Sequence, residues 1–398
     1  MTFDFESLPD RRGTGSMKWD RYAGRDVLPM WVADMDFRAP ACVIDALAAR
    51  VAHGVFGYTQ PDEEVTSATL AWVRDRHGVD AQADWLLWFP GLVPALSVIC
   101  RAFGSTGDEV LTLTPVYPPF LSSPGFSDRR SVTVPLSLEG DRWGIDLAQL
   151  EASMTPRTRV LIFCNPHNPV GRVFTEREVR DVAELCRVRG VVFCSDEIHA
   201  DLVLGPMTPT AETGAGSGAA GHGMRHVSAA ALGDGANTIV LMAPSKTFNT
   251  PGLSCAFVLI PDPAIRNAVR GAARGLITEV NAMGYVACAA AFREGEPWRR
   301  ALLDVLRDNR DALYRFVAER MPRIRLRPMD ATYLAWLDCR DLGVKDPAGL
   351  FESGGVGVSD GRLFGPGGEG FVRLNFGCPP SRLAEALRRM EAALGTLA

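Results

Sequence analysis

TRVLIFCNPHNPVGR, residues 158–172, joins a run of apolar residues to a turn built on two Asn-Pro steps and a glycine. The apolar run is continuous rather than alternating, the pattern of a strand covered on both faces of a parallel sheet. A residue before proline is pushed to extended backbone, so the turn has little freedom. The same arrangement recurs in GVVFCSDEIH (190–199) and TIVLMAPSKTFNTPGL (238–253), and EVLTLTPV (109–116) supplies another apolar run. Helical patterns separate the runs at 92–103 and 175–189, the second opened by Thr175 and Glu178 in capping-box spacing. Strands alternating with helices predict an α/β fold with a mostly parallel, helix-flanked sheet. Such sheets bind ligands beyond the carboxyl ends of their strands. Asn168, Asp196 and Lys246 all fall just past such an end.

Outward from this centre, residues 46–284 read as one large domain. After about 285 the chain changes character. A charged amphipathic helix runs through 297–319, then come the short apolar runs TYLAWLDC (332–339) and GFVRLNFGC (370–378), and a final helix starts at 381. Residues 285–398 are therefore predicted as a smaller α+β domain, with residues 1–45 an N-terminal segment belonging to it. The stretch 208–236, rich in Gly, Ala, Ser and His, reads as a surface loop.

Composition narrows the chemistry. The chain has 398 residues, 47% hydrophobic and 22% charged, with a formal net charge of −5. That balance offers no basic stripe for nucleic acid and no polybasic patch for a membrane. The sequence has neither a signal-type apolar run near its start nor a membrane-spanning apolar stretch, so a soluble cytoplasmic protein is expected. Nine cysteines are scattered without a CxxC pair and six histidines are dispersed, so neither a disulfide framework nor a metal site is expected. Of 42 basic side chains only Lys18, Lys246 and Lys345 are lysines. Arginine cannot form an imine, which leaves any lysine chemistry three positions to choose from.

The combination of NPHNPVG, an aspartate 28 residues after Asn168 and a Ser-Lys pair 50 further on resembles the fold-type I pyridoxal-phosphate (PLP) enzymes of the aminotransferase class I/II superfamily. WVADMDF (31–37), GVFGYT (54–59), SDEIH (195–199), PSKTFN (244–249), ATYLAWLD (331–338) and FGPGGEGFVRLNFG (364–377) narrow the resemblance to the MalY/PatB group of cystathionine β-lyase-type C–S lyases. The resemblance implies that Lys246 holds PLP as a Schiff base and, once freed, acts as general base. It implies that Asp196 partners the pyridine nitrogen, Asn168 the phenolic oxygen, and that Tyr117 stacks on the ring. The phosphate is expected at the backbone N–H groups of Leu92 and Val93, with the Ser245 hydroxyl and Tyr58 from a neighbouring subunit, which implies a homodimer with shared sites. Arg373, with Asn168, is expected to take the carboxylate of a small amino-acid substrate. His199 stands where aminotransferases usually carry tyrosine, and is expected either to fix the ring oxygen or to take part in proton transfer. Ser254 and Cys255 stand where those enzymes place a phosphate-binding arginine. The implied reaction cleaves an L-cysteine S-conjugate to thiol, pyruvate and ammonia. Transamination would use the same residues, and decarboxylation coupled to oxidative deamination of a cysteine conjugate is a further alternative.

Overall fold

The computed structural model describes residues 3–7, 9–205, 224–232 and 235–397. Of the stretch 208–236 read as a surface loop, residues 208–223 and 233–234 lie outside the described residues.

Seven strands form the large sheet: β1 (Leu86–Phe89), β2 (Glu109–Thr114), β3 (Arg130–Pro135), β4 (Thr158–Cys164), β5 (Val192–Asp196), β6 (Thr238–Met242) and β7 (Ala256–Leu259), in the order β1-β7-β6-β5-β4-β2-β3. Strands β3, β2, β4, β5 and β6 run parallel, and β7 is antiparallel to both its neighbours. The continuous apolar runs have their cause here, since every residue of β2 and β6 is buried. The longer helices are α1 (Ala41–His53), α2 (Glu63–His77), α3 (Leu92–Ala102), α4 (Glu176–Arg189), α5 (Pro263–Ala273), α6 (Ala282–Glu294), α7 (Glu296–Arg320) and α8 (Pro380–Leu394), of which α7 and α8 pack on each other in the C-terminal part. One face of the sheet packs Val110, Ile162, Cys194 and Leu241 against Leu96 and Ile99 of α3 and Val269 of α5. The other packs Leu161, Phe163 and Phe193 against Val179 and Val182 of α4. Phe163 meets Phe174 and Phe193 at ring separations of 5.0 and 5.5 Å, and truncating such a ring to alanine costs about 3–5 kcal/mol. The Thr175–Glu178 capping box opens α4 as its sequence predicts.

A four-stranded antiparallel sheet lies in the C-terminal part: β8 (Arg325–Leu326), β9 (Leu334–Asp338), β10 (Ser359–Asp360) and β11 (Phe371–Asn375), in the order β8-β9-β11-β10. The N-terminal segment reaches this part as well, for Leu28–Pro29 pairs in parallel with Val356–Gly357. Helix α6 runs through the boundary drawn at residue 284 and packs on α1 and α2. Among the described residues no helix is long and apolar enough to cross a membrane.

Register delivers the functional edge. Cys164 is level with Asp196, and Asp196 with Leu241, so β4, β5 and β6 end side by side. The turns that follow them must leave the sheet at one place.

Candidate active site

At that edge lies a cavity of 260 Å³ lined by Asn168, Asp196, His199, Ser245, Lys246 and Arg373 together with Leu92, Val93 and Tyr117. A larger cavity, 770 Å³, between Arg76, His226 and Arg307, has none of these residues in its lining. The smaller one is where the chemistry converges.

Its walls come from the exits of β4, β5 and β6, from β11 and from the N-terminus of α3. Beyond β4, the turn 165–169 places Asn168, whose Oδ1 accepts from Arg373 Nη1 at 3.0 Å. The last residue of β5, Asp196, accepts from the Ile198 backbone N–H at 3.1 Å. Burial raises its carboxyl to about 7, because the nearby charges and that one hydrogen bond do not repay the lost hydration. Beyond β6, Lys246 is half-buried and its ammonium is pulled down to about 8, chiefly by desolvation, with Arg373 pushing the same way and Asp34 and Asp196 opposing. Its Nζ donates to the Ala33 carbonyl at 2.6 Å. Burial also drives His199 down to about 3, with the positive charges of Lys246 and Arg373 adding to it, so the imidazole is neutral; its Nδ1 is buried without a hydrogen-bond partner.

From the small sheet, β11 carries Arg373 into the cavity. Its Nη2 donates to the Trp31 carbonyl at 2.9 Å, its Nε is buried without a partner, and burial lowers the guanidinium to about 10. The remaining wall is the N-terminus of α3. Gly91 precedes it and no side chain caps it, so the first-turn N–H groups of Leu92 and Val93 point to no protein side chain. Tyr117, nearby, has its phenol pushed up by burial.

Residues 31–37 form a strap across one side of the cavity, and its anchors were not visible in the sequence. Asn249 Nδ2 donates to the carbonyls of Met35 (2.9 Å) and Phe37 (2.7 Å), and its Oδ1 accepts from Met35 N at 2.9 Å. Asn375 Nδ2 donates to the carbonyls of Val32 (2.6 Å) and Asp34 (2.7 Å). The strap lies so close to the end of β11 that a Cβ on Gly377 would sit 2.7 Å from Met35 Cγ. Lys18 and Arg11 hold Asp36 from outside, at 3.1 and 2.9 Å. Asn249 and Asn375 stand three and two residues after Lys246 and Arg373, inside motifs quoted for their neighbours.

Tyr58 is not in this cavity. Its side chain is fully exposed, beside the exposed Val55 and Phe56.

The donor set suits pyridoxal phosphate. An uncapped helix start can receive a phosphate, a buried acid at about 7 lacks the cationic N–H that would keep it ionised, and an amine lowered to about 8 lies in the same cavity. Among the described residues no group of three or more His, Cys, Asp or Glu side chains could hold a metal ion.

Fold and site together define a pyridoxal-phosphate enzyme. Residues 25–390 match the aminotransferase class I and II family. The cystathionine β-lyase PatB of Bacillus subtilis is 36% identical, over 98% of this chain and 100% of its own. The crystal structure of OvoB superposes with a TM-score of 0.90 at 41% identity, covering 98% and 99% of the two chains. Cystalysin from Treponema denticola, whose structure contains pyridoxal 5'-phosphate, gives 0.92 at 32% identity over 100% of each chain. The chain belongs to the aminotransferase class I and II family, and within it to the MalY/PatB group.

Proposed function

We propose that this protein is a carbon–sulfur β-lyase that converts an L-cysteine S-conjugate to a thiol, pyruvate and ammonia. The observation that carries the reading is one buried cavity holding an amine at about 8, an acid and a carboxylate-binding arginine, in a chain 36% identical to a cystathionine β-lyase.

When bound, pyridoxal phosphate supplies the electron sink that makes a substrate's α-proton removable and lets a β-thiolate depart. Lys246 would hold its aldehyde carbon, Asp196 its ring nitrogen, Asn168 and His199 the edge with the phenolic oxygen, and Tyr117 one ring face. Leu92 N, Val93 N and the Ser245 hydroxyl would hold the phosphate. Arg373 orients the substrate through its carboxylate, with the free Nε and an Nη as a charge-assisted pair. Asn168 fixes that guanidinium from the side. Lys246, low enough to be partly unprotonated near neutrality, takes the α-proton. Asp196 keeps a proton at the ring nitrogen, and the buried surroundings exclude water from the charge that develops.

The exposed Tyr58, with Val55 and Phe56 beside it, suits a phosphate contact made across a homodimer. Sedimentation should show a dimer, and a fully active monomer would overturn this part of the reading.

The test of the reaction is direct. Given L-cystathionine or another L-cysteine S-conjugate and no keto acid, the purified protein should release thiol, pyruvate and ammonia in equal amounts. Amino exchange that requires a 2-keto acid, without pyruvate from cysteine conjugates, would make it an aminotransferase. Oxygen uptake with CO₂ release would instead indicate decarboxylation coupled to oxidative deamination.

A further inference from the structure

The Ala33 carbonyl accepts two hydrogen bonds. One is from Lys246 Nζ at 2.6 Å, and the other is from Tyr333 Oη at 3.0 Å, reaching in from the small-domain side just before β9. Tyr333 is wholly buried, and its ring meets His199 edge-on at 6.0 Å. A carbonyl oxygen has two lone pairs, so both donors can be seated. They draw on the same electron density, however, and each weakens the oxygen as an acceptor for the other.

The oxygen itself cannot drift. Asn375 clamps the carbonyls on either side of it, at Val32 and Asp34, and Asn249 holds Met35 and Phe37. Losing the Tyr333 hydroxyl would therefore leave Ala33 O in place with a single donor, the lysine.

We propose that Tyr333 is a positioning residue for Lys246: by sharing the Ala33 carbonyl, it limits how tightly that carbonyl holds the amine and keeps the lysine available as a free base. The proposal rests on the assignment of Lys246 as the base. The charged and titratable groups around that amine are Asp34 on the strap, Asp196 at the end of β5, His199 beyond it, Tyr333 and Arg373. None of the others offers a neutral donor to the same acceptor.

The scarcity of lysine makes a test simple. In the cofactor-free full-length protein, competitive labelling with acetic anhydride across pH, read peptide by peptide, reports the titration of Lys18, Lys246 and the exposed Lys345 separately. Tyr333→Phe keeps the ring and removes only the hydroxyl. It should move the Lys246 midpoint upward by about half a unit or more, the scale of one altered hydrogen bond, with Lys345 unmoved. A fluorinated tyrosine at 333, the same shape but a stronger donor, should move the midpoint down and serves if the phenylalanine variant does not fold. In the holoenzyme, the acid limb of kcat should follow the same shift in Tyr333→Phe with KM little changed. An unmoved or lowered Lys246 midpoint in Tyr333→Phe, or one unmoved by the fluorinated tyrosine, overturns the proposal. The labelling uses no substrate, so its outcome stands apart from whether cysteine conjugates are cleaved.

Discussion

Asp196 and Glu197 are adjacent carboxylates, both buried, on opposite faces of the same extended segment. Asp196 faces the cavity and accepts one backbone hydrogen bond, and burial lifts it to about 7. Glu197 faces away. Burial pushes it up too, but His226 at 2.9 Å, the Ala229 N–H at 2.7 Å and the Ser228 hydroxyl more than offset this and hold it below its usual value; the Ser195 hydroxyl also donates to it at 3.0 Å. Two residues past His199 the contrast repeats. The neutral imidazole of His199 lines the cavity, while Asp201 is bound by His77, Trp72 and Thr247 at 3.1 to 3.2 Å. The lesson is that burial alone does not mark a functional acid. What marks it is burial with too few partners, which leaves a place for something the chain does not itself provide.

The strongest way to break this comparison is to neutralise each carboxylate in turn. Asp196→Asn should lower kcat by about 10²–10³-fold, the range seen when a preorganised electrostatic partner is removed, while circular dichroism shows a native fold. Full activity in that variant would remove Asp196 from the chemistry. Glu197→Gln should do the reverse. It takes the charge from a buried pair and should cost about 3–5 kcal/mol of stability, read as a lower urea midpoint, with the remaining folded enzyme turning over within a few-fold of wild type. This cost should appear above the usual glutamate value and fade as pH falls through the lowered value of the folded protein, where wild-type Glu197 is itself protonated. The smallest effect sharpens the comparison furthest. In the cofactor-free protein, folded Asp196 binds a proton between its ordinary value of 3.8 and about 7, while the unfolded chain has already released it. Wild-type stability should therefore fall as pH rises through that window, and Asp196→Asn should not follow it. At pH 8 the variant should gain on wild type by on the order of 1–4 kcal/mol relative to pH 4. Parallel pH profiles for the two proteins would mean that Asp196 is not strained by its burial.

Much of this arrangement was legible before any coordinates. Asn168, Asp196 and Lys246 could be found because continuous apolar runs announce parallel strands, and parallel strands bring their exits to one edge. Arg373 emerged from its motif alone, since nothing in composition separates it from the other arginines. Other features left no local trace. Ala33 acts through a backbone carbonyl, which no side-chain pattern reveals. Asn249 and Asn375 act on a strap more than 200 residues away in one case and more than 300 in the other, so their role exists only once the two parts of the chain meet. His226 lies inside the stretch 208–236 that reads as a surface loop, yet it is buried against Glu197, and nothing in the sequence signals that pairing. Tyr333 sat within a quoted motif, but an apolar run ending a loop reads as packing until its hydroxyl is seen beside the lysine.

The strap also fixes when a nascent chain can become an enzyme. Residues 31–37 leave the ribosome early, yet they bond to Asn249, Tyr333, Arg373 and Asn375, which are made 214, 300, 342 and 343 residues after their respective partners. The seven-stranded sheet is complete once residue 259 is out, and the cavity wall is not. Residue 375 must be clear of the ribosome before Ala33 is locked against Lys246, so a chain whose β11 is still inside the ribosome carries a finished sheet whose lysine loop lacks the β11 anchors of its strap.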